Sequence, residues 1–153
     1  MSAKYNISHL EASLIKASHH VILNKAPCKV LDVSHAKTGK HGHMKVSLSA
    51  NDLITNKNVQ WMGAGHNVLH TFTPVRINYQ AINIENDDVE CLDQNANMQT
   101  IKVTSEEMLA DLSAKMEDQD MQLEVMYLPI MKNDDVDDVE DYCLVCGLKV
   151  MQN

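Results

Sequence analysis

Aromatic residues are scarce, 4% of a 153-residue chain, with one Trp, one Phe and four Tyr. Any core must therefore rest on Val, Ile, Leu and the ten Met. At 44% hydrophobic content, that is enough for one medium domain or two small ones. Proline and glycine are also few, three and five, and no low-complexity tract, long linker or internal repeat is visible. An N-terminal apolar run is missing: residues 1–16 are polar and mixed, so neither a signal peptide nor a membrane span is expected there. A cytoplasmic location follows as the expectation. The four cysteines are then expected to stay reduced, and the Asn6-Ile7-Ser8 glycosylation sequon to be inert. Hydrolase signatures are missing too, with no Gly-x-Ser-x-Gly and no paired-carboxylate pattern that argues for hydrolysis. Gly39-Lys40 lacks the upstream glycine and the following Ser/Thr of a P-loop. No enzymatic activity is expected.

What charge there is divides unevenly. Residues 1–75 carry eight Lys against Glu11, Asp32 and Asp52, a net of +5, and all eight histidines. Residues 76–153 carry eighteen acids against five bases, a net of −13. Two units with different partners are the simplest reading. The basic part suits phosphate; the acidic part prefers water or basic protein.

Alternation of apolar residues places short strands at 21–23, 29–33, 45–49 and 59–62, with Pro27, Gly39 and Gly42 as punctuation. Residues 63–67 read as a loop and Pro74 as a hinge. Beyond it, 80–84 and 89–92 can pair across Asn86-Asp87-Asp88, and 98–103 alternates again. Thr104-Ser105-Glu106-Glu107 reads as a capping box with Thr104 as the cap. Met108, Leu109, Leu112 and Met116 follow at helical spacing, as core filler rather than a cofactor site. Strands at 121–128 and 141–150 close the unit around an acidic tip at 133–140. Strands, one helix and two more strands fit an OB-type barrel.

Lys37-Thr38-Gly39-Lys40-His41-Gly42-His43-Met44-Lys45 is the most informative segment. Gly39 and Gly42 permit the positive φ of a hairpin tip. Lys40 stands between them with no apolar neighbour, as a solvated charge, a phosphate contact or a modification site. His41 and His43 share a strand face, with His35 across the hairpin, but no carboxylate lies nearby in sequence to orient them on a metal. Cys143-Leu144-Val145-Cys146 is a single Cys-x-x-Cys whose members point to opposite faces of a strand. No metal site is assigned.

The nine-residue segment resembles the hypusine loop of the eukaryotic and archaeal translation initiation factor 5A family, Lys-Thr-Gly-Lys-His-Gly-His-Ala-Lys. Eight of nine positions agree, with Met44 in place of Ala. The resemblance extends through Val21-Ile22-Leu23-Asn24-Lys25-Ala26-Pro27-Cys28-Lys29-Val30, Asn51-Asp52-Leu53-Ile54-Thr55-Asn56-Lys57 and His66-Asn67, and weakens towards both ends. It implies a mainly β protein of two small barrels, an SH3-like barrel over 1–74 carrying the loop and an OB-fold with one helix over 75–153. It also implies that Lys40 is converted to hypusine with an aminobutyl group from spermidine, by deoxyhypusine synthase and then deoxyhypusine hydroxylase. Lys37, Thr38, Gly39, His41, Gly42, His43 and Lys45 would form the tRNA-facing loop.

The partners so implied are the ribosome near its E site, rRNA and peptidyl-tRNA, with no membrane. The lengthened side chain would steady the tRNA and promote peptide-bond formation at stalled, proline-rich sites, supporting elongation and termination. Two readings compete: an unmodified RNA-binding paralogue, and a metal- or redox-handling protein. Departures from the family pattern fall at His19-His20, at Gln60-Trp61-Met62-Gly63-Ala64-Gly65, and at Thr100-Ile101-Lys102-Val103-Thr104. The last strand departs too, with its Cys143, Cys146 and Gly147.

Overall fold

The computed structural model describes residues 5–37 and 44–151. The chain is mainly β, with one α-helix among the described residues. It divides into two compact units, Met1–Val75 with Leu128–Tyr142, and Arg76–Tyr127 with Cys143–Asn153. The contiguous division at residue 74 differs from this in one segment: 128–142 associates with the first unit.

In the first unit β1 (Ser8–Glu11) and a 3-10 turn (Ala12–Leu14) precede β2 (His20–Leu23), β3 (Ala26–Lys37), β4 (Met44–Asp52), β5 (Asn58–Ala64) and β6 (Val68–Thr71). They form one sheet in the order β1-β6-β2-β3-β4-β5. Strict alternation explains its one-sided core. Val46, Leu48 and Ala50 of β4 are fully buried, while Ser47 and Ser49 face outward. Val21, Leu23, Cys28, Val30 and Leu69 complete that core with Ala12 and Ile15. The β2–β3 connection corrects the sequence reading. Its turn is Asn24-Lys25, both at positive φ (50° and 66°), as a two-residue hairpin of matching twist requires. Pro27 already lies inside β3, opposite Ile22.

The second sheet takes β7 (Val75–Glu85), β8 (Asp88–Leu92), β9 (Met98–Lys102), β10 (Met121–Met131) and β11 (Val139–Val150), with α1 (Glu106–Met116) between β9 and β10 in sequence. Their order is β11-β10-β7-β8-β9. The core gathers Tyr79, Val89, Cys91, Ile101, Leu112, Met121, Leu123 and Val125, with Met108 and Met116 packed against it. The helix is capped one residue later than the sequence suggests. Ser105, not Thr104, accepts a hydrogen bond from the Met108 N–H at 3.2 Å. Both residues carry the needed hydroxyl, and the position of Leu112 in the core selects between them.

Candidate functional site

The β3–β4 hairpin carries the segment singled out by sequence. Nine register pairs join it, from Cys28–Asp52 to Lys37–Met44, with an irregularity between Val30 and Asp32. A bulge of this kind bends the strand and increases local twist, and it leaves Leu31 53% exposed. Apolar burial stops at Val46, which faces His35. Two rungs, Ala36–Lys45 and Lys37–Met44, continue beyond it with all four residues exposed. The hairpin therefore extends past its own core as a finger.

Neighbouring backbone braces the finger's base. Met44 accepts from the Gly65 N–H at 2.7 Å, and the Gly65 carbonyl accepts from Ser13 at 3.0 Å. A Cβ on Gly65 would lie 3.3 Å from the Ser13 Cβ and 3.4 Å from that of Met44, so the absence of a side chain permits this close packing. Lys45 pairs with Ala64 of β5, and Ser47 with Met62. On the outward face further down, Asn58 and Gln60 both donate to Ser49 Oγ at 3.1 Å, and exposed Asp32 stands opposite Ser49 in the register.

Of the sequence-assigned site residues, Lys37 and Lys45 occupy the finger's last described rungs, both exposed. Among the described residues neither is in an ion pair with a carboxylate. Thr38, Gly39, Lys40, His41, Gly42 and His43 lie outside the described residues. His35 is exposed on β3, and no group of three or more His, Cys, Asp or Glu able to hold a metal occurs among the described residues. Cys143 is half-buried against the second core and Cys146 is exposed.

Sequence reasoning missed three features. One is the pair of β1 with β6, together with the 3-10 turn that follows β1. Another is the association of 128–142 with the first unit, where Tyr5 donates to Asp141 at 2.6 Å and the Met131 N–H to Lys25 O at 3.1 Å. The last is a hydroxyl pair, Tyr79–Tyr127 at 2.7 Å, in which burial and then the Tyr79 contact push the Tyr127 phenol upward. All are set by residues dozens of positions apart, and no local pattern announces them.

Residues 6–65 match the family described as translation initiation factor 5A-like, N-terminal. Eukaryotic translation initiation factor 5A-5 of Solanum tuberosum is 40% identical over 91 residues, 57% of this chain and 55% of that protein. Factor 5A-3 of Arabidopsis thaliana is 35% identical over 104 residues, 65% of this chain and 64% of that protein. Over residues 6–65 the chain belongs to the translation initiation factor 5A-like family. The matched stretch thus spans between about half and two thirds of these curated relatives of the 5A family. A 5A-family protein from Naegleria fowleri superposes with a TM-score of 0.75 at 21% identity, over 94% of this chain and 98% of its own. The factor from Methanococcus jannaschii gives 0.60 at 16%, over 99% and 98%. At such identities the likeness concerns the fold, and it agrees with the mainly β, two-barrel class of 5A-family proteins.

No helix among the described residues is long and apolar enough to cross a membrane.

Proposed function

We propose that the chain is a cytoplasmic translation factor, itself no enzyme, that binds the ribosome near its E site and steadies peptidyl-tRNA through a hypusine at Lys40. The observation that carries this reading is the finger. A hairpin that outruns its buried core by two exposed rungs leads directly into the segment containing Lys40. The family match across 6–65 includes both strands and that segment.

Physical chemistry supplies the role. Unmodified Lys is one compact charge on a flexible stem. Transfer of the aminobutyl group of spermidine to its Nζ by deoxyhypusine synthase breaks the bond from that group to spermidine's secondary nitrogen and releases the three-carbon diamine. Hydroxylation by deoxyhypusine hydroxylase then completes a longer arm with two amines and a hydroxyl. Such an arm pairs with phosphates and ribose 2′-OH groups without reading bases. Lys37 and Lys45 flank the segment and screen RNA phosphate. Thr38, Gly39, His41, Gly42 and His43 complete the tRNA-facing segment around Lys40. Holding the acceptor end in place accelerates the ribosome's own chemistry by positioning.

The loop peptide from native cells, weighed by mass spectrometry, should carry one aminobutyl addition at Lys40, with or without the hydroxyl. An unmodified peptide from cells with an active synthase would favour the RNA-binding paralogue instead. Lys40→Arg should preserve the circular dichroism spectrum. In a reconstituted system it should lower the rate of peptide-bond formation at proline runs by about 10–100-fold, the scale of lost positioning. An unchanged rate would refute the proposal.

A further inference from the structure

β1 is a four-residue strand at one end of the first sheet, and its one neighbour there is β6. In their register His9 stands directly opposite His70. The next rung, Leu10–Leu69, faces inward: Leu69 belongs to the core and Leu10 packs against it. Successive strand residues alternate faces, so both imidazoles leave the outer face together. His9 is exposed and His70 half-buried. On its other side His70 is in register with Ile22, only 7% exposed, which gives the pair one apolar flank and one open side.

Directly opposed residues of antiparallel strands have Cβ atoms about 4.5–5.5 Å apart. That spacing lets two imidazoles converge on one ion at metal–nitrogen distances of about 2.0–2.1 Å. As two cations the same side chains would repel across the rung; as two neutral donors they are complementary to a metal. No third His, Cys, Asp or Glu among the described residues completes a larger cluster. We infer that His9 and His70 form a two-imidazole chelate for a first-row divalent cation, water filling the other positions, that clips β1 to β6.

The clip has a mechanical consequence. A short terminal strand opens locally at low free-energy cost, and an ion shared across the rung must be released before this one can. Imidazole suits Ni2+, Cu2+ and Zn2+. Ni2+ is the cleanest probe here, because free thiols compete for softer ions.

The experiment titrates the full-length, chelator-treated protein with Ni2+ and follows backbone amides by NMR. Paramagnetic broadening should begin at residues 8–11 and 68–71. In His9→Ala and in His70→Ala it should require at least about tenfold more Ni2+, since even supporting groups around a metal are worth that much. His41→Ala/His43→Ala should leave it unchanged. Hydrogen exchange of the β1 amides should slow with Ni2+ in the unsubstituted protein and not in either single variant. Should an alanine variant fail to fold, His9→Gln and His70→Gln serve in its place. Broadening at 8–11 and 68–71 that survives either single substitution, or that appears only at other histidines, would overturn the chelate.

Discussion

Cys28 and Cys91 sit at the centres of the two cores, each fully buried. Burial, and then the negative charge of Asp52, pushes the Cys28 thiol up to about 11 from its ordinary 9.0. Burial, with Cys143 second, does the same for Cys91, also to about 11. The native protein therefore holds both protons where the unfolded chain has begun to release them. The stability tied to these protons is complete below pH 9.0 and is lost as pH rises through about 11. Urea midpoints should be level near neutrality and fall steadily above pH 9.0. Cys28→Ala with Cys91→Ala should flatten that alkaline fall, whatever the cavities cost at neutral pH. Because only thiolates alkylate, iodoacetamide near neutrality should label the exposed Cys146 and spare Cys28 and Cys91 until denaturant is added.

Among the elements, those legible in the sequence are the ones with a local period. Val46, Leu48 and Ala50 alternate with serines, and Leu112 repeats the helical spacing of Met108 and Met116, so β4 and α1 follow from their own residues. β1 offers one inward apolar residue, Leu10, and is a strand because β6 pairs with it. The finger's strands run to twelve and nine residues, longer than the apolar signal. Their outer rungs are held by backbone pairing and by the Ser13–Gly65–Met44 brace, and neither leaves a mark on side-chain pattern. Gly63 of β5 shows a second hidden constraint. A Cβ there would meet the Trp61 ring at 2.7 and 2.8 Å and the Asn67 amide at 2.9 Å. Trp61 itself packs on the core, so the ring must shift for any side chain to enter. Gly63→Ala should destabilise the first unit by about 1–3 kcal/mol, the usual cost of overpacking. Fluorescence of the chain's one Trp, at Trp61, reports that loss directly. Unchanged unfolding would mean that the ring yields freely.

At the scale of the molecule, the charge division read along the chain is not the division in space. Leu128–Tyr142 brings six acids and Lys132 to the first unit. Residues 1–75 carry +5, so that unit comes to zero and the whole −8 resides on the other. Glu140 pairs with Lys132 at 2.6 Å, both side chains more than half exposed, but the aspartates of the tip make no such close pair among the described residues. The Lys25–Asp134 contact is 3.9 Å, with both side chains at least half exposed, and such pairs contribute little. Their field still opposes phosphate near the lysines of that unit, within a Debye length of about 8 Å at physiological salt. Asp134→Asn, Asp135→Asn, Asp137→Asn and Asp138→Asn together would take the unit from zero to +4. The amide oxygens can still accept the tip's own bonds, such as the Asp137 N–H to residue 135 at 2.9 Å. The fold should survive, and affinity for ribosomal RNA should rise at low salt. The plot of log affinity against log salt should steepen, since each phosphate newly neutralised adds nearly one counterion to the slope. A slope and affinity equal to those of the unsubstituted chain would place the RNA-facing surface beyond reach of the tip, and leave the lysines of the finger as the only charges that matter.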